Sequence, residues 1–420
     1  MTWVTTNGSL LTLSRALAWA GLILIFMAFG ACHLDASPAE SQLTHLVWLL
    51  LFAWVLPLSR TIQPEEIRFT AVMVILFSAA LLSAWLAGDL KVEGYFRPSF
   101  IYLLPVGLLG VLSLFRMRKG WVVSGLLFAA SMAFIVIIKD LAFGGVRGAH
   151  HGLAIPYGIF GLTTGLMCLL FAMDKSLRRE VRMLLLAGAV CGFAACIWSQ
   201  TRIAWLYAIL WACAFPFFWL SFSRISARRI VAMVVVTVLA LGIVYVNRPM
   251  VLERTDEAIS DVTHYLDGTD KNTSVGQRLE LWKVAAHTFA EFPLLGAGES
   301  GFVTKRDEMN ASNEVFVRPN LEHAHNDYLW LASTRGLLSL FFYLVLQVGL
   351  IIFYWQHVRS PVTRYAAFSG LTLTAGALFY GFSDIFFSVK ISIGYYLIAQ
   401  MVLIRLLCSE SKLAAPESSV

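Results

Sequence analysis

The chain has 420 residues, of which 58% are hydrophobic and only 14% charged, with a formal net charge of +6. Soluble proteins carry roughly 25% charged residues, so a soluble enzyme is excluded and the length gives no count of soluble domains. Nor is the positive charge that of a nucleic-acid binder: much of it lies in short connections between apolar runs, where Lys and Arg set membrane orientation.

A hydrocarbon core needs ~20 apolar residues per helix. Runs of that kind fall at about 13–32, 42–60, 67–87, 98–115, 121–143, 153–173, 183–200, 203–221 and 228–246, and then at 337–356, 362–383 and 389–407. They predict an all-α polytopic membrane protein with about 12 transmembrane helices. The first run follows Arg15 and has no clear small-residue cleavage site after it, so it reads as a membrane helix and not as a removed leader. The connection at Gln200-Thr201-Arg202 is very short. Pro105, Pro156 and Pro216 sit inside runs, which membrane helices tolerate when neighbours satisfy the freed carbonyls. The cysteines, Cys32, Cys168, Cys191, Cys196, Cys213 and Cys408, lie in or beside apolar runs without metal-type spacing and read as packing residues.

Every even-numbered connection is basic: Arg60 and Arg68; Arg116, Arg118 and Lys119; Lys175, Arg178, Arg179 and Arg182; Arg224, Arg228 and Arg229; Arg359 and Arg364. The positive-inside rule therefore places both termini in the cytoplasm. The connections after the fifth, seventh and ninth runs share the opposite face. They carry Lys139 and Arg147-Gly148-Ala149-His150-His151, then Arg202, then the long stretch 247–327. The expected division is 1–246 for nine membrane helices, 247–327 for a cap between helices 9 and 10, 328–409 for the last three helices and 410–420 for a tail.

Structureless loops beyond ~15 residues are uncommon and usually functional, which draws attention to the cap. It holds Gly276-Gln277-Arg278 with Trp282, the turn Pro293-Leu294-Leu295-Gly296-Ala297-Gly298, and Glu322-His323-Ala324-His325-Asn326-Asp327-Tyr328. Arg202 lies between two apolar runs on the face that calls for no cation. It either snorkels to headgroups or marks a site, the usual meaning of an ionisable group at that depth. Arg147 lies in a Gly-rich turn where plain solvent exposure competes with function. Arg278 opens an amphipathic pattern (Leu279, Trp282, Ala285, Ala286, Phe289) that alone would read as a solvated surface. Three arginines on one face suggest an anion-binding centre, because guanidinium grips phosphate oxygens in bidentate fashion. His325 is a candidate general base. On a helix His323 and His325 would point ~200° apart and could not share a metal ion; in a strand they would share a face, and metal stays open. The run Asp256, Glu257, Asp261, Asp267 and Asp270 reads as a solvated, mobile face, and Asp384 as the partner of some nearby cation. A base plus arginines beside lipid describes transfer of a glycosyl or phosphoryl group from a lipid-linked pyrophosphate.

These residues resemble the O-antigen ligase family, within the wider group of bacterial O-antigen ligases, polymerases and protein-glycosylating oligosaccharyltransferases. The family motif (His, then Asn/Ser/Gln, nine residues, Gly, two residues, Gly/Thr/Tyr) is matched by His325-Asn326 and Gly336, with Ser339 departing at the last place. The His-Asn-Asp-Tyr-Leu run, the Pro293–Gly298 turn, Arg278…Trp282 and Thr201-Arg202 are similar too. The resemblance implies a metal-independent, inverting glycosyltransferase of the GT-C type with no cofactor, in the bacterial inner membrane with a periplasmic site. The donor would be undecaprenyl-pyrophosphate-linked O-antigen and the acceptor a sugar hydroxyl of lipid A–core oligosaccharide. His325 would be the base and Arg202, Arg278 and Arg147 would bind pyrophosphate, with His323, Asn326, Tyr328 and Gly336 in support. The rivals are an O-antigen polymerase, a protein O-oligosaccharyltransferase, and a lipid-linked glycan transporter. The last would show charges in mid-helix and an internal repeat, and neither is seen.

Overall fold

The computed structural model describes residues 8–32, 46–47, 49–56, 58–86, 100–145, 154–222 and 248–414, and every regular element among them is helical. In chain order the α-helices are α1 (Gly8–Ala31), α2 (Pro64–Leu86), α3 (Leu104–Leu112), α4 (Lys119–Phe143), α5 (Ala154–Ala172), α6 (Arg179–Trp198) and α7 (Arg202–Phe222). They continue with α8 (Arg248–Leu266), α9 (Ser274–Glu291), α10 (Gly298–Ala311), α11 (Asp327–Val358), α12 (Arg364–Tyr380) and α13 (Lys390–Ala414). Seven of these (α1, α2, α4, α5, α6, α11 and α13) are long and apolar enough to cross a membrane, and shorter apolar helices lie at Ile101–Leu112 and Arg202–Pro216. The chain is thus a multi-pass membrane protein, with fewer full-length spans described than the twelve runs predict. The run at 228–246 lies outside the described residues, as do residues 42–45, 48 and 57 of the run at 42–60. The run expected at 337–356 begins earlier, because α11 starts at Asp327 and passes through a break at Gly336.

α13 is the axis of the bundle, its membrane-length window wholly buried by the other helices. Several of its polar side chains find partners there. Tyr396 donates to Gln347 Oε1 (2.7 Å), Gln400 donates to Thr374 Oγ1 (2.9 Å), and Tyr395 shares a hydrogen bond with Thr164 (3.0 Å) while stacking on Phe29 and Phe160. The tightest helix pair is α5 with α6, where small residues let the backbones meet. A Cβ built on Gly192 would lie 2.5 Å from Gly161 O and 2.7 Å from Gly165 Cα. Without a hydrophobic driving force inside lipid, such close approach supplies the dispersion contacts that hold helices together.

The connections sort to two ends. At one, Arg405 pairs with Glu66 (3.1 Å) and donates to the carbonyls of Thr61 (2.6 Å) and Phe115 (2.6 Å). Glu66 also accepts the Gln63 N–H (2.8 Å), half of a capping box at the start of α2 with Pro64 in the first turn. Lys119 bridges Asp174 (2.9 Å) and Glu410 (3.3 Å) at the same end. At the other end lie the close of α4, the start of α5 and the α6–α7 joint: Trp198 donates to Asp140 (2.8 Å) and Thr201 to Ala154 O (3.1 Å). That end carries α8, α9 and α10. The cap has a small core of its own, Leu281, Val284, Phe302, Met309, Val315 and Val317, which reaches the bundle through Trp330 and Ile385. Its α9 buries Gln277, Glu280, Leu281, Val284, Ala285 and Thr288. The amphipathic face is therefore rotated from the one expected, and Ala286 is exposed.

Candidate active site

The site forms where α9, the 312–326 segment and the 381–389 connection converge on the start of α11. The 312–326 segment is not helical, and backbone-directed side chains shape it instead. Gln277 accepts the Arg318 N–H (2.8 Å) and donates to Phe316 O (2.8 Å), Arg306 donates to the carbonyls of Pro319 (3.0 Å) and Leu321 (2.7 Å), and Trp282 donates to Ala324 O (3.0 Å). That last bond holds the chain between the two histidines. His325 then takes φ +47°, a left-handed conformation uncommon for a residue other than glycine, so its ring is turned back over the site. The helical alignment of His325 with Tyr328 expected from the sequence does not occur, because the helix starts only after Asn326.

The residues after His325 are positioning devices. Asn326 caps α11 by accepting the Leu329 N–H (3.0 Å) and donates to Phe382 O (3.2 Å). Asp327 is fully buried and receives the Phe387 N–H (2.9 and 3.0 Å to its two oxygens), while its own N–H donates to Gly381 O (2.7 Å). Tyr328 donates to Leu378 O (2.7 Å). Asn326 and Asp327 thus grip the connection between α12 and α13, and Tyr328 holds the last turn of α12. The gripped connection delivers Asp384, whose Oδ1 lies 3.3 Å from His325 Nδ1 and also accepts the Ile385 N–H (2.9 Å). The partner that the sequence left unidentified for Asp384 is the His325 imidazole. Burial works against ionisation of Asp384, but the His325 ring and the Ile385 N–H outweigh it and hold the carboxyl below the usual range.

His323 packs its ring 4.1 Å from that of His325 (centroid to centroid, 61° between planes). Burial, then the neighbouring His325 and Arg278 charges, push its pKa down to about 4, so it is a neutral imidazole. One ligand atom from each of His323, His325 and Asp384 lies within 4.8 Å of the others. The argument against a shared ion drawn from helical spacing does not apply to this non-helical turn.

Arg278, one helical turn before Trp282, donates to Ser383 (3.2 Å), the residue next to Asp384. Arg278 and Trp282 therefore hold the two loops that carry Asp384 and His325. Burial lowers the Arg278 pKa, and its guanidinium lies in the fields of both Asp384 and Arg202. Arg202 opens α7 and is paired with Glu257 of α8 at 2.6 Å. The acidic run is thus not simply a solvated face: Glu257 neutralises a site arginine, and Asp261 accepts the Val275 N–H (3.3 Å). Arg147, with His150 and His151, lies outside the described residues.

Gly336 is away from the imidazoles and has a different part. It sits inside α11 with φ 72° and ψ −179°, a conformation open essentially to glycine alone. The break frees backbone groups of α11, and the Pro293–Gly298 turn fills the gap. Leu337 N–H donates to Pro293 O (2.8 Å), and Ser333 O accepts the Ala297 N–H (2.9 Å). Ser83 of α2 donates to Thr334 O (2.6 Å). Gly296 (φ 72°) faces Gly336 so closely that a Cβ on it would lie 2.3 Å from Arg335 N. The two glycine motifs of the sequence are halves of one interlock.

Residues 187–344 match the family model described as O-antigen ligase. That span includes Arg202, Arg278, His323, His325 and the whole interlock, and stops short of Asp384. An uncharacterized protein of Haemophilus influenzae is 26% identical over 167 residues, 39% of this chain and 42% of that protein. The aligned region is thus less than half of that relative's length.

Proposed function

We propose that this chain, a member of the O-antigen ligase family, transfers O-antigen polysaccharide from undecaprenyl pyrophosphate to a sugar hydroxyl of lipid A–core oligosaccharide. The observation that carries the reading is the pairing of His325 with Asp384 beside Arg278. Asp384 accepts the Nδ1 proton of His325, which fixes the tautomer and leaves the Nε2 lone pair free as a base. Nε2 takes the proton of the acceptor hydroxyl as its oxygen bonds to the anomeric carbon of the donor. The bond from that carbon to pyrophosphate breaks with its electron pair, and attack from the opposite side inverts the configuration. Negative charge grows on the departing pyrophosphate, where Arg278 and Arg202 are placed to stabilise it. Arg147 is assigned the same role from the sequence alone. The chemistry asks for no metal ion or cofactor, since guanidinium groups supply the positive charge.

The reading places the protein in the inner membrane with both termini cytoplasmic and this end of the bundle in the periplasm. Two substrates that share one bilayer reach the site already concentrated and oriented, which favours a slow bimolecular step. The test is a ligation assay with purified protein, lipid-linked O-antigen and lipid A–core, chelator present throughout. Wild type should cap the acceptor, and His325→Ala and Arg278→Ala should not. Lengthening of the lipid-linked glycan with the acceptor untouched would make the protein a polymerase instead.

A further inference from the structure

We propose that His323, His325 and Asp384 form a Zn²⁺ site whose occupation switches the transferase off; the inhibitory half of this rests on His325 being the base. Two imidazoles and a carboxylate are a nitrogen/oxygen set suited to Zn²⁺, with a fourth position left for water. Zinc bonds of ~2.0–2.1 Å at tetrahedral angles put ligand atoms ~3.3 Å apart. The His325 Nδ1 to Asp384 Oδ1 distance is 3.3 Å, long for a charge-assisted hydrogen bond and the length of such an edge. The third ligand is poised independently. Nδ1 of His323 is buried and meets no hydrogen-bond partner among the described residues, an arrangement that normally costs free energy and calls for an occupant. One ligand atom from each of the three lies within 4.8 Å of the others, so closing on an ion needs only a small contraction, and His323 and His325 sit on a non-helical segment.

Occupation and catalysis exclude each other through the proton count of imidazole. A neutral ring has one N–H and one lone pair. Zinc bound at Nδ1 of His325 forces the proton onto Nε2, where the acceptor must deliver its own. Zinc bound at Nε2 takes the lone pair directly. Either way the base is lost, and Asp384 is withdrawn from orienting it. The nearby Arg278 charge opposes a dication, so binding should be reversible by chelators.

The test uses full-length protein, stripped of metal, in nanodiscs. ZnCl₂ is titrated by calorimetry, and CoCl₂ by the visible absorption of tetrahedral Co²⁺. One ion per chain is expected, with transfer activity falling in step with occupancy and returning on addition of EDTA. His323→Gln should weaken zinc binding by ~10–100-fold or more and raise the half-inhibiting zinc concentration by the same factor relative to its own metal-free rate. Exposed Glu322→Gln should leave both unchanged. Binding that ignores His323→Gln and Asp384→Asn, or full activity with zinc bound, would overturn the proposal. If no variant or condition shows transfer, the functional reading fails by itself, and the two titrations still decide whether the site exists.

Discussion

Replacing Gly336 by alanine tests the interlock between α11 and the Pro293–Gly298 turn. A Cβ there would lie 2.2 Å from Leu294 O, 2.3 Å from Leu294 C and 2.4 Å from Leu295 N, all backbone atoms that cannot rotate aside. The backbone conformation itself costs ~1–3 kcal/mol for any residue with a side chain. If the turn is expelled, the bonds from Leu337 N to Pro293 O and from Ala297 N to Ser333 O go with it, each worth ~0.5–1.5 kcal/mol net. Together these give a loss of ~2–6 kcal/mol. The matched control is Gly349→Ala in the same helix, where a Cβ meets nothing within 4 Å. There alanine should gain ~1 kcal/mol of helix propensity. Hydrogen–deuterium exchange in nanodiscs should show the amides of Leu337 and Ala297 opening at least ~30-fold faster in Gly336→Ala, at 1.4 kcal/mol per decade, and no faster in Gly349→Ala. Equal protection in the two variants would refute the interlock.

Asp384→Asn keeps the shape but removes the carboxylate that orients His325 and stabilises its imidazolium. A charge-assisted hydrogen bond of ~1.5–3 kcal/mol predicts a ~10–150-fold fall in kcat with little change in donor KM, and an unaltered kcat would remove Asp384 from the mechanism. Glu257→Gln should free Arg202 for the donor. Because that pair is about 40% exposed on both sides, the gain is modest, a donor KM lower by up to ~5-fold, and an unchanged KM at low salt would mean that Arg202 does not meet the donor. Glu280 is buried, and although burial opposes its charge, hydrogen bonds from Lys283, Tyr265 and the Phe316 N–H hold its pKa below the ordinary value of 4.5. A depressed folded pKa stabilises the cap above pH 4.5 and withdraws that support as pH falls further. Cap amides should lose protection in that window in wild type, and Glu280→Gln should show the loss already at pH 7 with no further step on acidification.

Hydropathy made the membrane character and most span positions readable, and the motif order pointed at His325 and Arg278. What escaped depends on contacts between distant segments. Asp384 is one carboxylate in a short connection, and nothing near it in sequence says that Asn326 and Asp327 will fold that connection onto His325. Gly336 reads as a motif position, yet its reason is Leu294, more than forty residues earlier. Hydropathy also cannot separate a helix facing lipid from one facing other helices, since both surroundings are apolar. The signal available for α13 was its scattered polar side chains, Ser392, Tyr395, Tyr396, Gln400 and Arg405, which leave no clean lipid face.

The place of α13 bears on how the protein is made. This helix follows every other described helix along the chain, so the ribosome releases it after them, yet its window is the one wholly enclosed. The bundle must therefore stay parted during synthesis, with Phe29, Phe160 and Tyr354 lining a slot that has no occupant. Arg405 then ties residues more than 300 positions apart, and insertion of this one helix draws the early and late halves together. A nascent chain stalled before residue 390 would be a set of inserted but unjoined spans, open to membrane proteases.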